Sequence, residues 1–454
     1  MSTSQPGSLT PEDLAGALER LRQAHDALAQ GYPGESGDRQ PVHTVYGGAH
    51  LFKSDTAVRL GRLALAALDE YAPDGETLAR VLGLDPRLDP ELLRSRIVAK
   101  LEREPVEDFR IDFEDGYGNR PDAEEDGHAA STAKEVAAGA RAGTLPPFIG
   151  IRIKPMSREL HARGLRTLDI FVSSLAGATA GDLVPGLLIT VPKVMAAGQV
   201  EAVAQVCDVL ERKHGLKTGS LRLELMIETP QSILDADGSS NLRPLVLAGG
   251  GRVVAAHFGT YDYTALCGIT AAWQHMRHQA CDFAKHMMQV ALAQSGVRLS
   301  DGATNIMPIP SHRAPKGEAL TADQRRENVE SVHHAWKRHF DNVMHSLVNG
   351  YYQGWDLHPA QLPTRYAAVY AFFLSALPAA TARLRNFVEK AAQATLVGDV
   401  FDDAATGQGL LNFFIRGLTS GALTAEEVSA TGLTKEELRT RSFLAILEAR
   451  RRRS

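Results

Sequence analysis

Leu221-Arg-Leu-Glu-Leu-Met-Ile-Glu-Thr-Pro230 decides how this chain is read. It is an apolar run of strand length that ends on a carboxylate, Glu228, and runs into Thr229-Pro230, a pair suited to opening a helix. A second stretch of the same kind, Ala255-Ala-His-Phe-Gly-Thr-Tyr-Asp-Tyr263, ends on Asp262. A strand made of Leu, Met, Ile, Val and Ala is buried, so an acid at its end needs a reason. The two acids stand 34 residues apart, the length of about one strand–helix unit. Side by side in a parallel barrel, two such strands would bring Glu228 and Asp262 to one mouth. A pair of carboxylates there suits a hard divalent cation that keeps positions open for substrate oxygens. Taken singly, each acid also has a plainer reading. Glu228 beside a helix start can complement the helix dipole, and Asp262 can be a turn acid between two tyrosines.

The same beat extends in both directions. Short apolar runs occur at roughly 43–50, 108–115, 148–155, 187–194, 221–229, 252–263, 304–309 and 352–359, most followed by a helical pattern. One such pattern is 271–294, where Trp273, Met276, Phe283, Met287 and Val290 fall on one stripe. Strands alternating with helices imply a parallel sheet, and eight units predict an α/β fold, a (β/α)8 TIM barrel over residues 41–363. A doubly wound open sheet has the same periodicity. Residues 1–40 read as an N-terminal helix, capped at Thr10-Pro-Glu-Asp13, and a Gly/Pro/Ser-rich linker. The 51–107 interval holds about two helices and the break Leu84-Asp-Pro-Arg-Leu-Asp-Pro90. Residues 364–454 read as an Ala-rich helix and further amphipathic helices, expected to cap the barrel mouth or meet another subunit.

Bulk properties narrow the function. A formal net charge of −5 argues against a nucleic-acid binder, and the basic run Arg450–Arg453 reads as a solvated terminus. Cys207, Cys267 and Cys281 are too few and scattered for a disulfide framework or a zinc site. With no secretory pattern and no uninterrupted apolar run of spanning length, the expectation is a cytoplasmic protein with no membrane partner.

Polar residues gather at the predicted strand ends. Asp112-Phe-Glu-Asp115 closes the second strand, placing Asp112 and Glu114 on one face and Asp115 in the loop. Arg152 and Lys154 share a face of the third strand, and a guanidinium there is shaped for two-point contact with a carboxylate. An internal ion pair with the nearby acids explains it equally well. Lys193 ends the fourth strand in Val191-Pro-Lys193. His358, in Trp355-Asp-Leu-His-Pro-Ala-Gln361, is a candidate for a polar role, and His312 a weaker one. His257, inside its strand, reads as a satisfied buried histidine. Gly249-Gly-Gly251 precedes a strand and so is no dinucleotide fingerprint.

In this order, Asp112-Phe-Glu-Asp115, Arg152-Ile-Lys-Pro155, Val191-Pro-Lys193, Ile227-Glu-Thr229, Phe258-Gly-Thr-Tyr-Asp262 and His358-Pro-Ala-Gln361 resemble the citrate lyase β-subunit, malyl-CoA lyase and HpcH–HpaI aldolase superfamily. The resemblance spans residues 108–361. It implies a TIM barrel with Mg2+, or Mn2+, held by Glu228 and Asp262, and carbon–carbon bond cleavage or formation next to a carbonyl. The implied catalytic set is Arg152, Glu114, Asp115 and His358, with Arg152, Lys193 and Pro359 binding substrate. Glu114 and Asp115 would hold waters and the arginine. The substrate class is a small hydroxy- or oxo-acid, and its use as a CoA thioester stays open because no adenine-nucleotide site is evident. Other enolate chemistry, or a non-catalytic barrel that binds a metabolite, would use the same scaffold. A homo-oligomer is expected. No match exists for the Glu-His base of HpaI-type aldolases, and the 51–107 interval and the tail are unlike a minimal citrate lyase β-subunit.

Overall fold

A computed structural model describes residues 9–34, 38–315, 317–391 and 404–452. Eight parallel strands form one sheet in the order β7-β6-β5-β4-β3-β2-β1-β8. They are β1 (His43–Gly48), β2 (Asp108–Asp112), β3 (Phe148–Arg152), β4 (Leu187–Val191), β5 (Arg222–Ile227), β6 (Val253–Phe258), β7 (Arg298–Ser300) and β8 (Gly354–Asp356). A bridge from Ala303 to Trp355 joins the chain just past β7 to β8, bringing the two ends of the sheet together as a barrel. The chain is a (β/α)8 TIM barrel with helical additions at both ends.

The helices follow the same order. An N-terminal α1 (Pro11–Gly31) precedes β1, and α2 (Thr56–Tyr71), α3 (Gly75–Leu82) and α4 (Pro90–Arg103) fill the first interval. Then come α5 (Asp122–Ala142), α6 (His161–Ala178), α7 (Ala197–His214), α8 (Pro230–Ile233), α9 (Leu242–Ala248), α10 (Thr260–Leu266) and α11 (Gln279–Leu292). The long α12 (Ala322–Val348) and α13 (Leu362–Ala391) flank β8, and the tail is α14 (Ala404–Thr419), α15 (Ala425–Ser429), α16 (Lys435–Thr440) and α17 (Phe443–Arg451).

Strand alternation divides the labour. Ile149, Ile151, Ile189, Val191, Leu223 and Leu225 are buried in the apolar core. The alternate positions on these strands fill the barrel with polar groups rather than the branched apolar side chains usual there. The Arg110 guanidinium donates to Thr190 Oγ1 at 2.8 Å, Thr190 donates to Glu224 Oε1 at 2.7 Å, and Thr44 donates to Asp108 Oδ2 at 3.0 Å. Because all of these groups are buried, the network must be satisfied internally, and Arg110 is the cation that makes it possible.

Several expectations change. The seventh strand is 298–300, not 304–309, because Pro308 and Pro310 remove ladder donors from the later run. The sixth ends at Phe258 and turns at Gly259, so Asp262 lies in the first turn of α10 instead of on a strand. The 271–294 pattern is a single 3-10 turn (Ala271–Trp273) followed by α11. Its buried face is Cys281, Ala284, Lys285, Met288 and Leu292, while Trp273, Phe283 and Val290 face outward. Lys285 goes inward to pair with Asp301 at 3.0 Å, which rotates the expected stripe toward solvent.

The described part of the tail lies away from the mouth. Arg416 of α14 stacks 4.2 Å from the Tyr352 ring and reaches Gln40, both just before strands, and Arg96 of α4 binds Glu427 at 2.6 Å. The tail therefore packs against the N-terminal, opposite end of the barrel. The 359–387 stretch is long and apolar enough to cross a membrane by length and composition. Here Leu362, Tyr366, Tyr370 and Phe373 are buried against the body, and Arg365 pairs with Asp356 at 2.8 Å. Of the Arg450–Arg453 run, Arg450 pairs with Glu437 at 2.6 Å, and Arg453 lies outside the described residues, as do parts of the 1–40 extension.

Candidate active site

The ends of β2 to β6 carry one connected set of charged groups. Asp112, the last residue of β2, accepts N–H bonds from Glu114 at 3.0 Å and Gly116 at 2.7 Å, which folds the following loop back over the strand. The same carboxylate receives Arg152 through Nε at 2.7 Å and Nη2 at 2.6 Å, the fork-on-fork geometry that only a guanidinium provides. Nη1 of Arg152 pairs with Glu114 at 2.9 Å. The guanidinium carbon lies 4.9 Å from the Tyr46 ring and 5.3 Å from the Trp355 ring. Arg152 is thus fixed by two carboxylates and two aromatic faces. Burial opposes its charge, but Asp112 and Glu114 hold its proton affinity well above the ordinary value.

Lys193 follows β4 with φ of 52°, a left-handed conformation that a lysine rarely adopts. That turn aims its N–H at Glu228 Oε1 at 2.8 Å and lets its ammonium reach Glu114, Asp115 at 3.2 Å and Asp262 at 3.6 Å. Burial works against the ammonium, yet Glu114 and the neighbouring acids raise its proton affinity, so Lys193 is a cation at neutral pH. Glu228 is 1% exposed, whereas the Asp262 side chain is 39% exposed at the rim. Burial pushes the Glu228 carboxyl up to about 8, and Asp262 and then Glu114 push the same way, against Arg152 and Lys193. Gly259 makes room for this acid: a Cβ there would stand 2.4 Å from Glu228 Oε2.

The structure brings together Arg152, Glu114, Asp115, Lys193, Glu228 and Asp262. It keeps His358 at the end of β8, capping a short turn, with Nδ1 accepting the Ala360 N–H at 3.2 Å. Among the described residues no ion pair or hydrogen bond joins His358 to the acid cluster, and Pro359 is the first residue of that same turn. His312 spends its ring on Glu327. His257 is buried, but it is not satisfied: among the described residues neither ring nitrogen has a hydrogen-bond partner, and burial lowers its proton affinity to about 4. It lies edge-on to Tyr46 and Trp355. Those two rings were not legible as site residues. Tyr46 sits in an ordinary apolar run, and only the closure of β1 against β8 brings it beside Trp355, 4.1 Å away.

The residues fit a divalent cation. Burial first, and then Asp262 and Glu114, disfavour the charged form of Glu228, and a cation bound beside it would restore that form. Among the described residues no cluster of three or more His, Cys, Asp or Glu could hold a metal. Glu228 and Asp262 would be the residues to hold the ion, leaving several positions for water and substrate, as Mg2+ prefers.

The fold is shared with a solved citrate lyase, and solved malate synthase and CitE structures are more distant matches. A citrate lyase from Burkholderia xenovorans LB400 superposes with a TM-score of 0.56 at 16% identity, covering 88% of this chain and 99% of that one. A Haloferax volcanii malate synthase in a magnesium/glyoxylate complex gives 0.43 at 15% identity, covering 90% and 97%. The protein CitE from Mycobacterium tuberculosis, in complex with magnesium and acetate, gives 0.36 at 14% identity, covering 72% and 90%. The chain belongs to the family described as a domain of unknown function, DUF6986, which matches residues 21–446. No curated protein matches it.

Proposed function

We propose that the protein is a Mg2+-dependent carbon–carbon lyase or aldolase that acts through an enolate on a small hydroxy- or oxo-acid, free or as a CoA thioester. The observation that carries this reading is the placing of an immobilised guanidinium, Arg152, near an acid pair, Glu228 and Asp262, bridged by Glu114 and Lys193. Bound at Glu228 and Asp262, Mg2+ would supply Lewis-acid polarisation of a substrate carbonyl. Arg152, held rigid by Asp112, presents fixed N–H donors to the oxygen on which enolate charge develops, with no reorganisation at the moment of reaction. Lys193, kept protonated, adds a second fixed cation and anchors the loop that carries Glu114 and Asp115. The buried floor of Arg152 and Glu228 excludes water, and the exposed Asp115 and Asp262 form the rim through which an acid enters. The gathering of Arg152, Lys193 and five acids at one end of the barrel weighs against a non-catalytic barrel, because buried polar clusters of this kind are concentrated at functional sites. The unpaired cysteines are consistent with a cytoplasmic, reducing setting.

The test is calorimetric titration with MgCl2, and Mn2+ titration followed by EPR, on the wild type and on the Glu228→Gln/Asp262→Asn double variant. Binding should vanish in the variant while the circular dichroism spectrum is kept. With metal present, deuterium exchange into pyruvate or an acyl analogue should proceed and stop with chelator. Exchange indifferent to chelator, or metal affinity unchanged in the variant, refutes the assignment.

A further inference from the structure

Helix α1 is a well-capped helix whose length nothing covers among the described residues. Thr10 and Asp13 form a reciprocal capping box, yet none of its 21 residues is buried. Leu14, Leu18, Leu21, His25 and Leu28 recur at spacings of four, three, four and three, the heptad seam of a coiled coil. The leucines of that seam are 38 to 58% exposed. Ala15, Ala17, Ala24 and Ala29 flank it, so a second helix could approach closely. Arg22 is neutralised within the helix by Glu19 at 2.6 Å and Asp26 at 3.3 Å.

The helix is not a loose end. Arg243 of α9 donates to Gly31 O at 3.0 Å and covers the Tyr32 ring at 4.6 Å, and Gly34 donates to Gln294 O at 2.9 Å. Beside that anchor the body shows its own uncovered apolar residues. Leu247 lies one turn beyond Arg243, and Phe283 and Val290 lie on α11, which runs toward Gln294. Leu247 and Val290 thus border the point where α1 joins the body, and that side of the molecule carries uncovered apolar surface.

We infer that this side is a two-fold interface with a second copy of the chain, in which the two α1 helices pair antiparallel across their leucine seams. A second copy fits because the seam is nearly symmetric about Leu21. Antiparallel pairing sets Leu14 against Leu28, Leu18 near His25, and Leu21 against itself. The charges fit too. The first turn is acidic, with Glu12 and Asp13, and the last turn holds no basic residue. An antiparallel partner brings that acidic turn to the far helix end, where Arg243 stands. Two heptads alone make a marginal coiled coil, so the patch of Leu247, Phe283 and Val290 is needed as the second part of the interface.

Sedimentation velocity on the full chain at micromolar concentration should give a dimer, and the Leu18→Glu/Leu21→Glu variant a monomer with unchanged thermal stability of the barrel. In a Cys267→Ser background, Leu21→Cys should cross-link to itself on mild oxidation and Leu14→Cys should not. A monomeric wild type, or an oligomer that survives the double glutamate variant, overturns the inference. Cross-linking through Leu14→Cys would show parallel helices and overturn the antiparallel arrangement.

Discussion

Arg152, proposed here as a working group, is a cation held rigidly inside an apolar strand. Its Nε and Nη2 atoms are both committed to Asp112, so the plane of the guanidinium is set before any substrate arrives. Arg152→Lys keeps the charge and loses the plane. On the proposed reaction, kcat/KM should fall by roughly a hundredfold or more, the scale on which fixed donors to developing charge operate. A loss below about threefold, ~0.6 kcal/mol, would make the arginine structural. Gly259 is tested differently. A Cβ at that position would meet both Glu228 Oε2, at 2.4 Å, and Glu228 Cβ, at 2.5 Å. Gly259→Ala should therefore cost about 1–3 kcal/mol by overpacking and weaken Mg2+ binding in the same titration, because the acid must move.

Element ends depend on similar buried pairs. Glu211 on α7 accepts the N–H groups of Gly219 and Leu221, both at 2.8 Å, and pairs with Arg252 at 2.6 Å, tying the start of β5 to the start of β6. Burial pushes its carboxyl up, but Arg252 and the two backbone donors outweigh that and hold it down at about 2. A depressed native value means this stabilisation is complete above the unfolded value, about 4.3, and is lost as pH falls toward 2. Urea midpoints measured between pH 7 and pH 2 should therefore drop across that window. Glu211→Gln should lower the midpoint at pH 7 and flatten the drop. The failed stripe on α11 belongs here as well. Periodicity located a helix, but Lys285 is drawn inward by Asp301, a residue 16 positions away, and no local pattern contains that pairing.

Across the molecule, the additions and the site occupy opposite ends of the barrel. The tail grips the N-terminal end through Arg416 on Tyr352, while the acid cluster sits at the C-terminal end. Arg416→Ala should lower the melting temperature by about 1 °C or less, the shift that the ~0.5–1 kcal/mol of such a contact produces in a chain of this length. It should leave the Mg2+ titration unchanged. A shift in metal affinity would mean that the tail and the mouth are coupled.

Alternating apolar runs and helical patterns were enough to specify eight parallel strands, because each strand's burial is written in its own residues. The strand-end acids Glu228, Asp112 and Glu114, and the cations Arg152 and Lys193, were legible for the same reason: a charge at the end of an apolar run is locally conspicuous. Asp262 was found although its element was misjudged, since a turn into α10 and a strand end carry the acid to the same place. The rest needed contacts between distant segments. The left-handed turn at Lys193, the ring pair Tyr46 and Trp355, the space that Gly259 leaves for Glu228 and the side of the barrel that the tail covers all depend on which strands become neighbours. Sequence patterns encode what each segment buries. Barrel closure determines what each buried group meets, and the chemistry of this site lies in those meetings.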